Sequence, residues 1–551
     1  MSGSGPVGRN VAGWIAAAAA LIAGLTVLSR VTGFARTLVF AGAVGSTDLG
    51  DIYQTANTVP NILFEIAAGG ALASLVVPLL AGAVAAGERG RVGELASALL
   101  TWTLTLLVPL ALLLAFVAEP VVALLANHAA PDAVAVGARM LRIFAVQVPL
   151  YGVGIVLTGV LHAHHRFAWP VLAPLLSSLT VVGAYLLFAA VDGAGTPVAS
   201  VSRAGELILA VGTTLGVAVL ALCLLVPLRP LGLRFRPRYA IEPGLRRRAV
   251  GLAGAAVVTV VAQQLTLAYL IYLANGSAQA GSLVIFTLAQ TVFLLPWAVL
   301  AVPLSTPTFP ALAQAQSAGE HERFDATLSR VTRAVVLCAG FGTAALIGLA
   351  VPAGHLLSVV TATRPSPVII AAAVLAFAPG LIGYSLFALL SRALYAAGET
   401  RRAAVTVAAG WAVTALAALV LAATVPAAQR VSALAAANSI GMSVLGGALL
   451  VVVWRRRGAA AVAGVVRALL VTVLAAGLAG GLGWLVGGAV SAGTPGAGRA
   501  VLAGMLAGVV VTVCFLGVSL GLDRGDVRAV WAAVRRRRSR IGRGVGSRAG
   551  P

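Results

Sequence analysis

Apolar runs of about 20 residues, the length that crosses a bilayer as a helix, recur along this chain from residue 11 to residue 521. A chain of 551 residues that is 60% hydrophobic and only 10% charged has more apolar surface than a soluble domain can hide. In lipid every backbone polar group must be satisfied internally, and helices do this within one segment. The chain therefore reads as an all-α polytopic membrane protein. Fourteen spans are predicted, at 11–44, 53–86, 93–117, 136–161, 168–190, 205–227, 249–273, 282–313, 328–351, 367–394, 403–424, 431–453, 463–489 and 500–521. The first is longer than crossing requires, so it tilts, projects into the cytosol or breaks near Gly33.

The net charge is +22, and every basic residue is arginine. The arginines gather in alternate connections: Arg89 and Arg91, Arg166, the stretch 228–248, Arg401 and Arg402, Arg455 to Arg457, and the tail with Arg535 to Arg538. The positive-inside rule then puts both termini in the cytosol. It also makes anionic membrane lipids partners and excludes nucleic acid. Cys223, Cys338 and Cys514 stand alone in separate spans, with no zinc or redox spacing. His162, His164 and His165 have no acidic or thiol neighbour in sequence and read as a solvated loop. With no Walker motif, acidic magnesium-diphosphate cluster or nucleophile–base pattern, the expectation is a non-enzyme without metal or cofactor. No cleavable signal peptide is expected, since the first apolar run is too long and leads into a larger array.

A repeat runs through the chain. The segment from Pro78 to Glu88 (Pro-Leu-Leu-Ala-Gly-Ala-Val-Ala-Ala-Gly-Glu) matches that from Pro310 to Glu320 (Pro-Ala-Leu-Ala-Gln-Ala-Gln-Ser-Ala-Gly-Glu) at a shift of 232 residues. Arg91 and Ser97 continue it at Arg323 and Ser329. Six spans separate the copies, and an even number preserves orientation. The repeat is therefore parallel, with its axis along the membrane normal. The organisation expected is a lobe of six helices at 1–227, an Arg-rich cytosolic linker at 228–248, a second six-helix lobe at 249–457, two further helices at 458–522 and a basic tail at 523–551. Prolines interrupt several spans, with Pro60-Asn61 and Pro296-Trp297 at comparable places in spans 2 and 8. They suit bent helices lining a cleft between the lobes.

The functional signal is a pair of cations inside the first span: Ser29-Arg30-Val31-Thr32-Gly33-Phe34-Ala35-Arg36. A cation at bilayer depth costs roughly 2.5–3.5 kcal/mol on insertion scales and normally faces a protein interior or a wet cavity. Arginine suits phosphate because its planar fork bonds two oxygens at once and keeps its proton. Ser29, Gly33 and Arg36 share one stripe of the helix, and Arg30 lies about 120° from Arg36. The two guanidinium groups converge if the face between them is a cavity wall or if Gly33 loosens the helix. The other reading stops the span near Ser29 and lets both arginines snorkel to the outer surface. Glu65, the acidic residue deep in spans 1 and 2, is expected to pair with Arg30 or Arg36 or, alternatively, to carry a coupling proton. Asn57, Asn61 and Gln54 on span 2, with Gln263, Gln264, Gln290 and Thr291 in the second half, are polar cavity candidates.

These segments resemble the MurJ/MviN family, the lipid II flippases of the MATE-like MOP exporter superfamily. The likeness rests on the segment 29–36, Asp51 followed by Pro60-Asn61, Gly70-Ala71, Val77-Pro78, and Arg166-Phe167 with Pro170 and Pro174. It implies a V-shaped pair of lobes exporting an undecaprenyl-diphosphate-linked sugar–peptide to the outer leaflet. Arg30 and Arg36 would hold the diphosphate, and spans 13 and 14 would form a groove for the lipid tail. The chain departs from the family pattern at Thr37, at Phe64 and Glu65, at Gly69 and at Thr291, so two cavity cations remain of about four. The function expected is a flippase for a polyprenyl-diphosphate-linked cell-wall precursor. The alternatives are a non-transporting scaffold that meets cell-wall enzymes, motivated by the missing cations, and a MATE-like exporter of small molecules.

Overall fold

A computed structural model describes residues 6–525 apart from 233–234, 241–242, 278, 307 and 493–495. No strand occurs among the described residues. Among the described residues, eleven helical segments are long and apolar enough to cross a membrane, or up to twelve if Pro367–Phe377 and Gly380–Ala396, bent by 43°, count as one span. The chain is thus an all-helical polytopic protein. Large apolar side chains point outward all round it, with Phe116 85% and Leu470 68% exposed, as lipid-facing surfaces require.

The first helix, α1 (Pro6–Ala43), is continuous through Gly33, so the break considered there does not occur. Each residue of helix rises about 1.5 Å. Arg36 and Arg30 therefore lie roughly 10 and 20 Å along the axis from the end at Ala43. The helix itself therefore does not stop at Ser29.

The next span is α2 (Asp48–Phe64), a π-helical turn at Glu65–Gly69, and α3 (Gly70–Ala85). The Thr47 hydroxyl starts α2 by accepting from the Gly50 N–H at 3.0 Å, a side-chain cap. Pro60 lies within α2 without an N–H to donate. The wider π turn follows one helical turn later. Further along, α4 (Arg89–Phe116), α5 (Gln147–Ala163), α6 (Ala168–Val191) and α7 (Arg203–Leu222) complete the helices of the first half that matter here.

In the second half, α8 (Pro243–Asn275) precedes α9 (Ser282–Pro296), which enters a second π turn at Trp297–Ala301. The two π turns begin at Glu65 and Trp297 (297 less 65 gives 232), the shift of the sequence repeat. Next come α10 (Gly380–Ala396) and α11 (Arg430–Arg457), whose backbones meet where Gly383 faces Gly446. A Cβ on Gly446 would stand 2.8 Å from the Gly383 backbone, so only small residues permit this approach. The last helices, α12 (Val465–Ser491) and α13 (Ala497–Leu522), pack on each other and on the helix His321–Gly348.

The halves are fastened at one end of the bundle. The Asp51 carboxylate, buried on α2, accepts from the N–H of Gly281 at 2.7 Å and of Val284 at 3.1 Å. It thereby caps the N-terminus of α9 from the opposite half, where a negative charge meets the positive end of the helix dipole. Gly281 has φ +81°, and a Cβ there would come within 2.2 Å of the Ser46 carbonyl oxygen. Ser46 and Thr363 hydroxyls lie 2.6 Å apart, and Ala362 N–H donates to the Ala41 carbonyl at 3.0 Å. The Asn275 amide donates to Thr55 and to the Leu125 carbonyl, each at 2.8 Å. Beneath these bonds one apolar cluster crosses between the halves, joining Phe40, Tyr53 and Phe144 to Phe286, Phe293 and Phe377.

Removing a charged acceptor from two buried N–H groups costs about 1.5–3 kcal/mol. Asp51→Ala, in a background without the three native cysteines, should therefore raise the reactivity of a cysteine at Ser46 toward a hydrophilic thiol reagent by roughly tenfold or more. Unchanged reactivity would mean that this contact does not hold the end closed.

Candidate functional site

Below the fastened end, α1, α6 and α9 enclose a cavity of about 520 Å³. Its wall includes Ser29, Arg30, Gly33, Phe34 and Arg36 from α1, Pro174, Ser177 and Ser178 from α6, and Thr291, Leu294 and Leu295 from α9. Both arginines of the first span therefore meet one hollow, and residues from both halves of the chain face them. Gly33 lies between the two guanidinium-bearing turns. It has nothing within 4 Å of where a Cβ would stand, so it contributes to the open wall.

No ion pair or hydrogen bond engages Arg30 or Arg36 among the described residues. Arg36 lies one helical turn before Phe40, which packs against Tyr53 and Tyr185 of the first half. The tyrosines near Arg36 are themselves ordered: Tyr53 and Tyr185 hydroxyls are 2.9 Å apart, and Tyr53 and Thr213 hydroxyls 2.6 Å apart. Phe40 stacks on Tyr53 with centroids 5.2 Å apart. Arg36 thus lies beside an ordered aromatic cluster, while Arg30 stands on the exposed part of α1.

Glu65 pairs with neither arginine, contrary to the expectation of a counter-ion. It lines a second hollow of about 230 Å³ with Asn61, Phe64, Tyr151, Thr158, Pro170 and Pro174. Pro174 and Leu220 border both hollows. The carboxylate sits at the start of the π turn and faces α5 and α6, whereas the arginines project from α1, so the two charges occupy adjoining chambers.

The other amides divide. Asn61 lines the hollow of Glu65. Asn57 accepts from the Gln147 amide at 3.4 Å and lines neither hollow. Gln290 lines neither, while its neighbour Thr291 faces the arginines. Sequence reasoning passed over Ser177 and Ser178. A serine pair inside the apolar run 168–190 was the available signal, since polar residues in a span often face a wet interior.

The chain matches a family model described as lipid II flippase MurJ over residues 40–497. That match excludes Arg30 and Arg36, so it stands independently of the arginine motif. A lipid II flippase MurJ from Burkholderia cenocepacia is 26% identical over 385 residues, covering 68% of this chain and 72% of that protein. Among solved structures, lipid II flippase MurJ in an inward closed conformation aligns with TM-score 0.68 at 17% identity, covering 90% of this chain and 98% of the other. An inward-facing multidrug resistance MATE family transporter of the MOP superfamily aligns with TM-score 0.64 at 13% identity, covering 80% and 98%.

Two unpaired guanidinium groups give the cavity a positive potential. A cysteine at Ser29 or Thr291 should therefore react faster with an anionic than with a cationic methanethiosulfonate, by roughly tenfold. Arg30→Gln with Arg36→Gln should abolish the preference. Equal rates in the parent protein would remove the electrostatic case for an anionic ligand.

Proposed function

The chain belongs to the lipid II flippase MurJ family, and on that premise we propose that it carries a polyprenyl-diphosphate-linked cell-wall precursor across the bacterial cytoplasmic membrane by alternating access. The observation that carries this reading is the pair of arginines, free of carboxylate partners, in a cavity walled by both halves of the chain. Each guanidinium can give two parallel N–H bonds to phosphate oxygens. Ser29, Ser177, Ser178 and Thr291 offer hydroxyls beside them for further oxygens of the diphosphate or first sugar. A cavity of about 520 Å³ suits a head group, and the polyprenyl tail stays in the bilayer, alongside the helices at 458–522.

In this reading the six-helix lobes at 1–227 and 249–457 are the moving bodies, and the Arg-rich linker 228–248 joins them. The charge bias orients the molecule with both termini cytosolic and the Asp51 end outside. The conformer then has its outer end closed, and cargo enters from the cytosolic leaflet. Release outside requires the Asp51 cap, the Ser46–Thr363 contact and the Asn275 bonds to part. The backbone resembles a MATE transporter, but a cationic drug would meet two like charges in this cavity, so an anionic lipid head is the better cargo.

The test uses the full chain in proteoliposomes with a fluorescent undecaprenyl-diphosphate-linked glycopeptide. Loss of a charge-assisted pair costs about 1.5–3 kcal/mol, so Arg30→Ala and Arg36→Ala should each slow transport roughly 10- to 100-fold. Lysine at either place should restore part of the rate, since it returns the charge without the fork. Wild-type rates in both alanine variants would overturn the assignment, and binding of wall enzymes without any lipid diphosphate would favour a scaffold.

A further inference from the structure

Most carboxylates near or within the spans are matched to a partner. Asp51 caps α9. Glu206, 3% exposed, takes a bidentate pair from Arg139 and a third bond from Arg203. Asp325 meets Arg457. Glu65 differs. Among the described residues it has neither an ion pair nor a hydrogen bond, and it lines a hollow within a span.

We propose that Glu65 is a proton-binding site coupled to occupancy of the arginine cavity. The geometry supports this in three ways. The hollow adjoins the arginine cavity, with Pro174 and Leu220 bordering both, so charge placed in one acts on groups in the other. The remaining lining is neutral: Asn61 from α2, Tyr151 and Thr158 from α5, and apolar groups from α6 and α7. One carboxylate with three neutral oxygen-bearing side chains falls short of the about six to eight oxygens that a calcium ion takes, whereas a proton needs only the carboxylate. Finally, Glu65 opens the π turn of the second span, and such turns often mark functional positions.

The charges facing Glu65 are few. Among the described residues lining the hollow, no other side chain is charged. The helix α8, which packs against the π turn, has no charged side chain over 257–275. A diphosphate arriving between Arg30 and Arg36 neutralises these cations and brings negative charge next door. That change favours the neutral acid at Glu65, which takes its proton from water in the cavity. By linkage, protonation favours cargo binding equally. The coupling rests on the cargo proposed above; the proton site does not.

Infrared difference spectra of the full-length protein, taken across pH, test the site directly. Glu65→Gln should lose one carboxylic-acid carbonyl band, and in the parent protein undecaprenyl diphosphate at fixed pH should strengthen that band. Identical acid bands in parent and variant would overturn the site. A band that responds to sodium but not to acid would also overturn it. Lipid binding without a change in the band would overturn the coupling. Failure to bind the lipid at all would refute the cargo and the coupling, while the band's loss in Glu65→Gln still decides the site. In proteoliposomes, the variant should also lose the pH dependence of transport.

Discussion

A guanidinium held within the thickness of a bilayer must have water, a carboxylate or a ligand beside it. Much of this molecule follows from meeting that demand twice on one helix. The charges on α1 have no carboxylate partner among the described residues, and they border a hollow whose wall comes from both halves of the chain. Hydroxyl-bearing side chains and Pro174 line it because a wet wall tolerates groups that a lipid-facing wall does not.

The proposed alternating access requires that the two ends of such a cavity open one at a time. Here the closed end combines a buried carboxylate on a helix N-terminus, short hydroxyl and amide bonds, and a glycine at positive φ that admits a close approach. Each polar bond is modest against water, about 0.5–1.5 kcal/mol net for a neutral pair, so the contacts hold this end as a set rather than singly. The paired π turns at Glu65 and Trp297 fall where helices from each half border the hollows.

The membrane class, the helical architecture and the arginine cavity were legible in the sequence, because charge inside an apolar run has few tolerable locations. Arg30, Arg36, Ser29 and Gly33 all reach the cavity. The side-chain directions on α2 were less legible. Asn57, Asn61 and Glu65 are spaced four apart and drift about 40° per step. Asn61 and Glu65 face one hollow, while Asn57 is taken by Gln147, a residue 90 positions away. Glu65 misses the arginines because Pro174 of α6 borders both chambers, and no local pattern encodes that wall. Gln290 and Thr291 differ by one helical step, and only packing decides which faces the cavity. Fourteen spans were expected; among the described residues eleven or twelve helical segments meet the length and apolarity criteria, a set that does not take in α1 or the span from α2 through α3.

The most direct measurement of the central claim is a structure of the full chain in lipid with an undecaprenyl-diphosphate-linked glycopeptide bound. The account predicts the diphosphate between Arg30 and Arg36, within hydrogen-bonding distance of both guanidinium groups, with the glycan in the cavity. Diphosphate density on an outer face of the bundle, with both arginines still unliganded, would contradict it.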